Sequence, residues 1–429
     1  MGGGGGGGAG GGATQTTHGS VTVSAESTVP VAKTLFGQNY WSWVDAWGDP
    51  VDTVQTQAAE LGLGLLRAGG ANNDKQDPEP FSHDKIDAFV AYARAIGAEP
   101  LLQVPAIKND AGEPATAEDA AAMVAYVNET RGYGVRYFSI GNEPDLYIDQ
   151  SLRAAGFDAT AACTTFSEFA RAMKNVDPTI QIVGPDLSWK YQSGANDWLT
   201  PFLTGCGDDI DVVAVHRYPF APTACNEAAA YSDNTSFRST LTHLKSIMQA
   251  TGEADKPLAI TEANITYDGT PEKSTMPASP GTFPAALWLA DNVGVALEEG
   301  LFSVNYWSLS EGWTLGFIDG ATPRPAYYAL QLFATGFGTA VLHVSGAPSG
   351  VSVYAGRDDA LGKTSVFVVN KTATNLELST TLVGVPRSDA PTLKAPPHSL
   401  LRAVLPDSGE APELTLFSSG MSAPGPVSD

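Results

Sequence analysis

The chain is poor in cysteine, poor in basic residues and without long apolar runs. Its three cysteines, Cys163, Cys206 and Cys225, are too few for a disulfide framework, and no CxxC spacing points to zinc. Pairing of Cys163 with Cys225 is the expected bridge, with three unpaired thiols as the alternative. Lys and Arg total 24 against 47 Asp and Glu, a formal charge of −23. That argues against nucleic acid and anionic membranes as partners, since both require a basic surface. No apolar run reaches the ~18 residues of a membrane-spanning helix. GxSxG is absent, which weighs against a serine hydrolase. No Gly-rich phosphate loop opens a helix, so an open nucleotide-binding sheet lacks support. No spacing of His, Asp and Glu demands a metal, and no cofactor is expected.

The first twelve residues are Met1, one Ala and otherwise Gly. No basic segment followed by an apolar one is visible there, so no signal peptide is recognised. A flexible Gly-rich leader suggests that Met1 replaces a removed secretion or lipoprotein signal. The expected location is extracellular or in the cell envelope.

What the chain does have is a core. Of 429 residues, 43% are hydrophobic and only 17% charged, so a large globular fold is expected. Short apolar runs recur, most of them preceded by text with helical spacing. They are 35–40, 64–68, 99–104, 136–141, 180–185, 211–216, 257–261 and 303–307. Eight buried strands alternating with helices predict an α/β fold, a (β/α)8 TIM barrel over residues 35–337. Residues 338–417 lose the helical period and predict an accessory C-terminal antiparallel β-sheet or sandwich. The alternating segment 21–34 is expected to join that sheet, with 1–20 a disordered linker and 418–429 a flexible tail.

In such barrels chemistry sits at the C-terminal ends of the strands. The fourth run ends in Gly141-Asn142-Glu143-Pro144, the seventh in Thr261-Glu262-Ala263-Asn264. Either glutamate alone is equally well an ordinary loop residue. Together, half a barrel apart, they can converge on one glycosidic bond. At about 5–5.5 Å one acts as nucleophile and the other as acid/base, with retention of configuration. Asn142 is placed to reach a sugar 2-hydroxyl. Arg67, ending the second run, can keep Glu262 ionised or serve as a structural ion pair. His216 and Tyr218, ending the sixth run, can hydrogen-bond Glu262 or the sugar. Aromatics cluster at the predicted mouth: Tyr40, Trp41, Trp43, Trp189, Tyr191, Tyr267, Trp307 and Trp313. Sugar faces stack on such rings, and Trp307 is the expected floor of the cleavage subsite. Asn39, Asn72, Asn73, Asp74 and Gln103 are candidate hydroxyl readers. Asp145, Asp186 and Glu311 are the competing carboxylates, and Arg217 is a candidate cation for a uronate.

The segments 138–144 and 259–262 resemble the acid/base and nucleophile motifs of clan A glycoside hydrolases. Leu66 to Asn72, Ile140 to Tyr147, Thr261 to Asn264, Ala286 to Asp291 and Tyr327-Tyr328 are most similar to glycoside hydrolase family 79, the β-glucuronidase and heparanase group. Families 39 and 44 carry similar text. The resemblance implies Glu143 as acid/base and Glu262 as nucleophile of a retaining β-glycoside hydrolase, with a glucuronide or related sugar as substrate. Its partner is then carbohydrate: a β-linked oligo- or polysaccharide or a glycoside. Two alternatives remain at this point. One is an endo-acting glucanase or xylanase; the other is a non-catalytic, polysaccharide-binding surface lipoprotein.

Overall fold

The computed structural model describes residues 15–40, 51–269, 276–311 and 314–427. Trp41, Trp43 and Trp313 lie outside the described residues. The barrel is built from β2 (Phe36–Tyr40), β3 (Leu65–Ala68), β4 (Glu99–Val104), β5 (Tyr137–Ile140), β6 (Gln181–Leu187), β7 (Val212–Arg217), β8 (Leu258–Ala263) and β9 (Ser303–Tyr306). Each pairs in parallel with the next, and β9 closes on β2 through Phe36 opposite Val304. Strand β1 (Thr16–Pro30) precedes the barrel. The short hairpin β10 (Ile318–Asp319) and β11 (Thr322–Pro323) follows it.

The described helices are α1 (Gln55–Glu60), α2 (Ala71–Lys75), α3 (His83–Ala95), α4 (Ala117–Val124), α5 (Ala159–Val176), α6 (Leu199–Cys206), α7 (Glu227–Thr251), α8 (Phe283–Glu298) and α9 (Pro325–Ala334). Their starts are written locally. Thr116 and Asp119 form a capping box on α4, and Asp158 and Asn226 cap α5 and α7. Helix α8 is buried on all sides from Ala285 to Leu297. It lies between the barrel and the second domain, which explains its all-round apolar text. Gly294 is needed there, because a Cβ would stand 2.3 Å from the ring of Tyr354.

The second domain is a nine-stranded sheet containing β12 (Ala340–Ser345), β13 (Val351–Asp358), β14 (Lys363–Asn370), β15 (Asn375–Val383), β16 (Thr392–Ala395), β17 (Ser399–Pro406), β18 (Glu413–Ser418) and β19 (Gly425–Pro426). Strand β1 enters it between β15 and β12, parallel to the former and antiparallel to the latter. One set of sheet side chains forms its own core around Val23, Val353, Val368 and Leu401. Another joins the barrel core, where Phe367 stacks on Phe333 at 4.2 Å. A buried Lys371–Asp291 pair also ties the sheet to α8.

Three expectations need correction. The 1–20 linker is shorter than expected, because Thr16 to Ser20 already pair with Asn375 to Ser379. The tail from 418 is not free, since Gly425 and Pro426 pair with Leu416 and Thr415. Main-chain pairing needs no apolar side chains, so neither segment announced itself. The disulfide joins Cys163 to Cys206, not to Cys225, which is buried and free. Cys163 lies on α5 facing the neighbouring α6, whereas Cys225 precedes α7 beside Ala221.

Inside the barrel the strands alternate. Leu65, Leu101, Tyr137, Val212, Ala214 and Ala259 form an apolar layer. One step nearer the C-terminal ends the same face carries buried Arg67, Gln103, Ser139, His216 and Thr261. That switch from apolar to polar builds the floor of the site.

Candidate active site

Arg67 is fully buried and sits at the centre of the polar layer. Its Nη1 donates to Glu262 Oε1 at 2.9 Å and to Asn39 Oδ1 at 3.0 Å. Its Nη2 donates to Asn142 Oδ1 at 2.9 Å and Asp186 Oδ2 at 3.2 Å. One guanidinium therefore orients four side chains from β2, β6, β8 and the turn after β5. Burial opposes its charge, but Asp186 and Glu262 outweigh that and raise its pKa.

Glu143 and Glu262 face each other across the mouth. His216 Nδ1 lies 2.9 Å from Glu143 Oε1 and 3.6 Å from Glu262 Oε2. Tyr218 donates its hydroxyl to Glu262 Oε2 at 2.9 Å. One ligand atom from each of Glu143, His216 and Glu262 fits within 4.8 Å of the others. A metal could bridge such a spacing, yet Arg67 already supplies the positive charge that an ion would bring to Glu262. Burial raises the pKa of Glu143; His216 pulls it back, and the charges of Glu262 and Asp145 push it up again. Burial opposes the imidazolium of His216, but the carboxylates around it raise its pKa. Burial, then Glu262 and Glu143, hold Tyr218 protonated.

The turn that carries Glu143 is clamped from behind. Glu143 adopts φ 53°, ψ 55°. Its N–H donates to Asp186 O at 3.1 Å, and the preceding Asn142 N–H donates to Asp74 Oδ2 at 3.3 Å. Tyr147 donates its hydroxyl to the same Asp74 carboxylate. Burial pushes Asp74 up to about 6, against these hydrogen bonds. Asp74 is thus a backbone anchor and not a hydroxyl reader. Tyr147 was missed as its partner, although it lies within the motif 140–147.

A cleft of about 1160 Å³ opens over the carboxylates. Asn142, Glu143, Tyr218, Glu262, Tyr267 and Trp307 line it. Asn264 holds the Trp307 carbonyl at 2.6 Å. Arg67, Asn39, Asn73 and His216 do not line the cleft. Asn39 instead donates to Thr261 O and Asn305 O, and Asn73 to Gln103 O. Both are buried scaffold, not hydroxyl readers: Asn39 lies on β2 and Asn73 on α2, each turned onto backbone carbonyls. Gln103 likewise accepts from Gly70 N at 2.6 Å.

Arg217 lines the cleft, but Asp233 takes its guanidinium bidentately at 2.8 and 2.7 Å. Trp288 donates to that same carboxylate, so the group is a closed structural unit. Glu311 also lines the cleft, accepts from Leu315 N at 3.1 Å, and is pushed up to about 7 by burial. Asp145 accepts from the loop after β6.

An eight-stranded parallel barrel with an appended antiparallel sheet is the architecture of clan A glycosidases. Residues 104–279 match the family described as the glycosyl hydrolase catalytic core. The chain is a glycosidase. No curated protein matches it in sequence. Its fold is similar to that of a bifunctional glucanase-xylanase from a metagenome library, with TM-score 0.67, 16% identity and coverage of 86% of this chain and 90% of that one. It is also similar to a family 51 α-L-arabinofuranosidase from Bifidobacterium longum, with TM-score 0.70, 16% identity and coverage of 96% and 95%. A family 44 xyloglucanase from Paenibacillus polymyxa matches with TM-score 0.68, 14% identity and coverage of 96% and 94%.

Proposed function

We propose that the protein is a retaining β-glycosidase acting on a neutral β-linked oligo- or polysaccharide. One observation carries the reading: Glu143 and Glu262 converge through His216 within 4.8 Å. That is near the ~5–5.5 Å of retaining enzymes and short of the ~6.5–9.5 Å that leaves room for an inverting water. Glu262, oriented by its 2.9 Å ion pair with Arg67, attacks the anomeric carbon. Glu143, whose pKa burial raises, gives its proton to the departing oxygen as the glycosidic bond breaks. Glu143 then takes a proton from water, whose oxygen displaces Glu262 and releases the sugar with its configuration retained.

A neutral glycone follows from charge. Among the described residues lining the cleft, Arg217 is the one Arg or Lys, and Asp233 already neutralises it. A uronate would meet no unpaired cation there, which argues against a glucuronide. The cleft exceeds the ~300–1,000 Å³ of ordinary small-molecule sites, which favours a chain of sugars over a simple glycoside. The Cys163–Cys206 bond supports work outside the cytoplasm.

The test is a panel of aryl β-glucoside, xyloside, galactoside and glucuronide with wild type, Glu143→Gln and Glu262→Gln. Turnover of a neutral glycoside, lost in Glu262→Gln, is expected, with the β-anomer appearing first by NMR. Glu143→Gln should lose roughly 10²–10⁴-fold on poor leaving groups and much less on activated ones. First appearance of the α-anomer, or full activity in Glu262→Gln, would refute the mechanism. Glycan affinity without any turnover would favour the non-catalytic alternative.

A further inference from the structure

The two exposed aromatic rings among the described residues are Trp189 and Tyr267, at 42% and 61% exposure, and both line the cleft. They differ in how they are held. Trp189 sits in the loop after β6, and that loop is fastened to the acid/base turn. Asp145, two residues beyond Glu143 and itself buried, accepts from Ser188 N at 2.9 Å and Ser188 Oγ at 2.8 Å. It also accepts from Trp189 N at 3.3 Å and Lys190 N at 3.2 Å. Lys190 Nζ closes the loop in the other direction, donating to Asp145 O at 2.6 Å. The same ammonium lies 5.7 Å from the ring centroid of Trp189 and 5.4 Å from that of Trp198.

An exposed indole gains little folding energy from being anchored so firmly, because its ring remains in water. A rigid aromatic face beside a cleft does benefit a ligand, since little entropy is lost when the ligand stacks on it. The location identifies which part of the ligand. The acid protonates the departing oxygen, so the leaving sugar lies on the Glu143 side. Trp189 stands on that side, tied to the Glu143 turn itself. Trp307, following β9 next to the nucleophile strand, stands on the other.

Resting on the retaining-glycosidase reading above, the geometry points to Trp189 as the stacking platform for the first sugar of the leaving group, with Asp145 and Lys190 as the residues that fix it. The enzyme then selects substrates by a sugar on the leaving side as well as by the glycone.

The experiment compares β-glucosyl and β-xylosyl fluorides, which carry no leaving sugar, with cellobiose and xylobiose, using wild type, Trp189→Ala and Trp189→Tyr. For the pair that wild type turns over, Trp189→Ala should lower kcat/KM on the disaccharide about tenfold, the size of one aromatic stacking contact. Its kcat/KM on the fluoride should stay within about twofold, which also reports an intact fold and site. Trp189→Tyr should recover most of the disaccharide activity. Equal losses on both substrates, or no loss on the disaccharide, would overturn the assignment. Wild type inert to all four compounds would instead overturn the reaction itself, and the platform with it.

Discussion

Replacing Arg67 by Met tests the centre of the site. Methionine keeps roughly the side chain's length and removes its charge. Arg67 is fully buried and contacts Glu262 at 2.9 Å and Asp186 at 3.2 Å. Deleting one partner of a buried ion pair costs about 3–5 kcal/mol, because the remaining charge is left uncompensated. Here two carboxylates lose one shared cation, so the upper part of that range is expected. Tyr218 still donates to Glu262 and Thr261 to Asp186, which keeps the loss from doubling. The penalty belongs to ionised carboxylates and therefore depends on pH. A neutral carboxyl leaves no charge uncompensated, so acidification relieves the penalty.

Urea unfolding followed by tryptophan fluorescence, at pH 7 and again near pH 4, reads the effect. A loss of about 4 kcal/mol at pH 7 that shrinks steeply on acidification is expected. Arg67→Lys should fall between wild type and Met, since it keeps the charge but loses the fork that reaches four partners. Hydrolysis at neutral pH should be abolished in Arg67→Met. A pH 7 loss below about 1 kcal/mol, or one that does not change with pH, would refute the account of Arg67 as the shared counter-charge.

Two other changes have directions fixed by the structure. Hydrogen bonding and charge from His216 lower the pKa of Glu143, so His216→Phe should move the alkaline limb of kcat/KM to higher pH while reducing the maximum; a limb that moves down would contradict it. Reducing the Cys163–Cys206 bond, or Cys206→Ser, frees a loop with a sequence separation of 43. Loop-closure entropy puts the loss at about 4 kcal/mol, read as a lower unfolding midpoint that reductant no longer shifts. Cys225→Ala should leave reductant sensitivity intact.

The barrel was readable because each strand is buried on both faces, which turns it into a short apolar run such as 211–216 or 257–261. Glu143 and Glu262 were readable because a carboxylate just past such a run has one place to go, the mouth. Residues whose role depends on partners far along the chain were not. Arg217 reads as a free cation until Asp233, a turn and a half into α7, folds back onto it. Asn39 and Asn73 read as mouth residues, but their hydrogen bonds lie below it, on Thr261 O and Gln103 O. The cysteine pairing depends on the packing of α5 against α6, which spacing does not encode.

The conformation of Glu143 shows where legibility ends. Asn-Glu-Pro can be read as a strand-end turn, but not as a strained one. Glu143 precedes Pro144, a position where helical backbone is disfavoured, and it also adopts a left-handed φ of 53°. Such a residue costs of order 1–3 kcal/mol and persists only where its surroundings leave no alternative. Here Asp186 O takes its N–H, and its carbonyl accepts Leu146 N at 2.8 Å. Asp74 and Tyr147 fix the residue before it. Those anchors come from β6, α2 and the turn itself. The strain is therefore supported by residues on three elements, and what it yields is the direction of one carboxyl group. Relaxing Glu143 into an ordinary conformation would turn that group away from His216 and from Glu262. The fold sustains the strain because a loose Glu143 could not be held opposite Glu262.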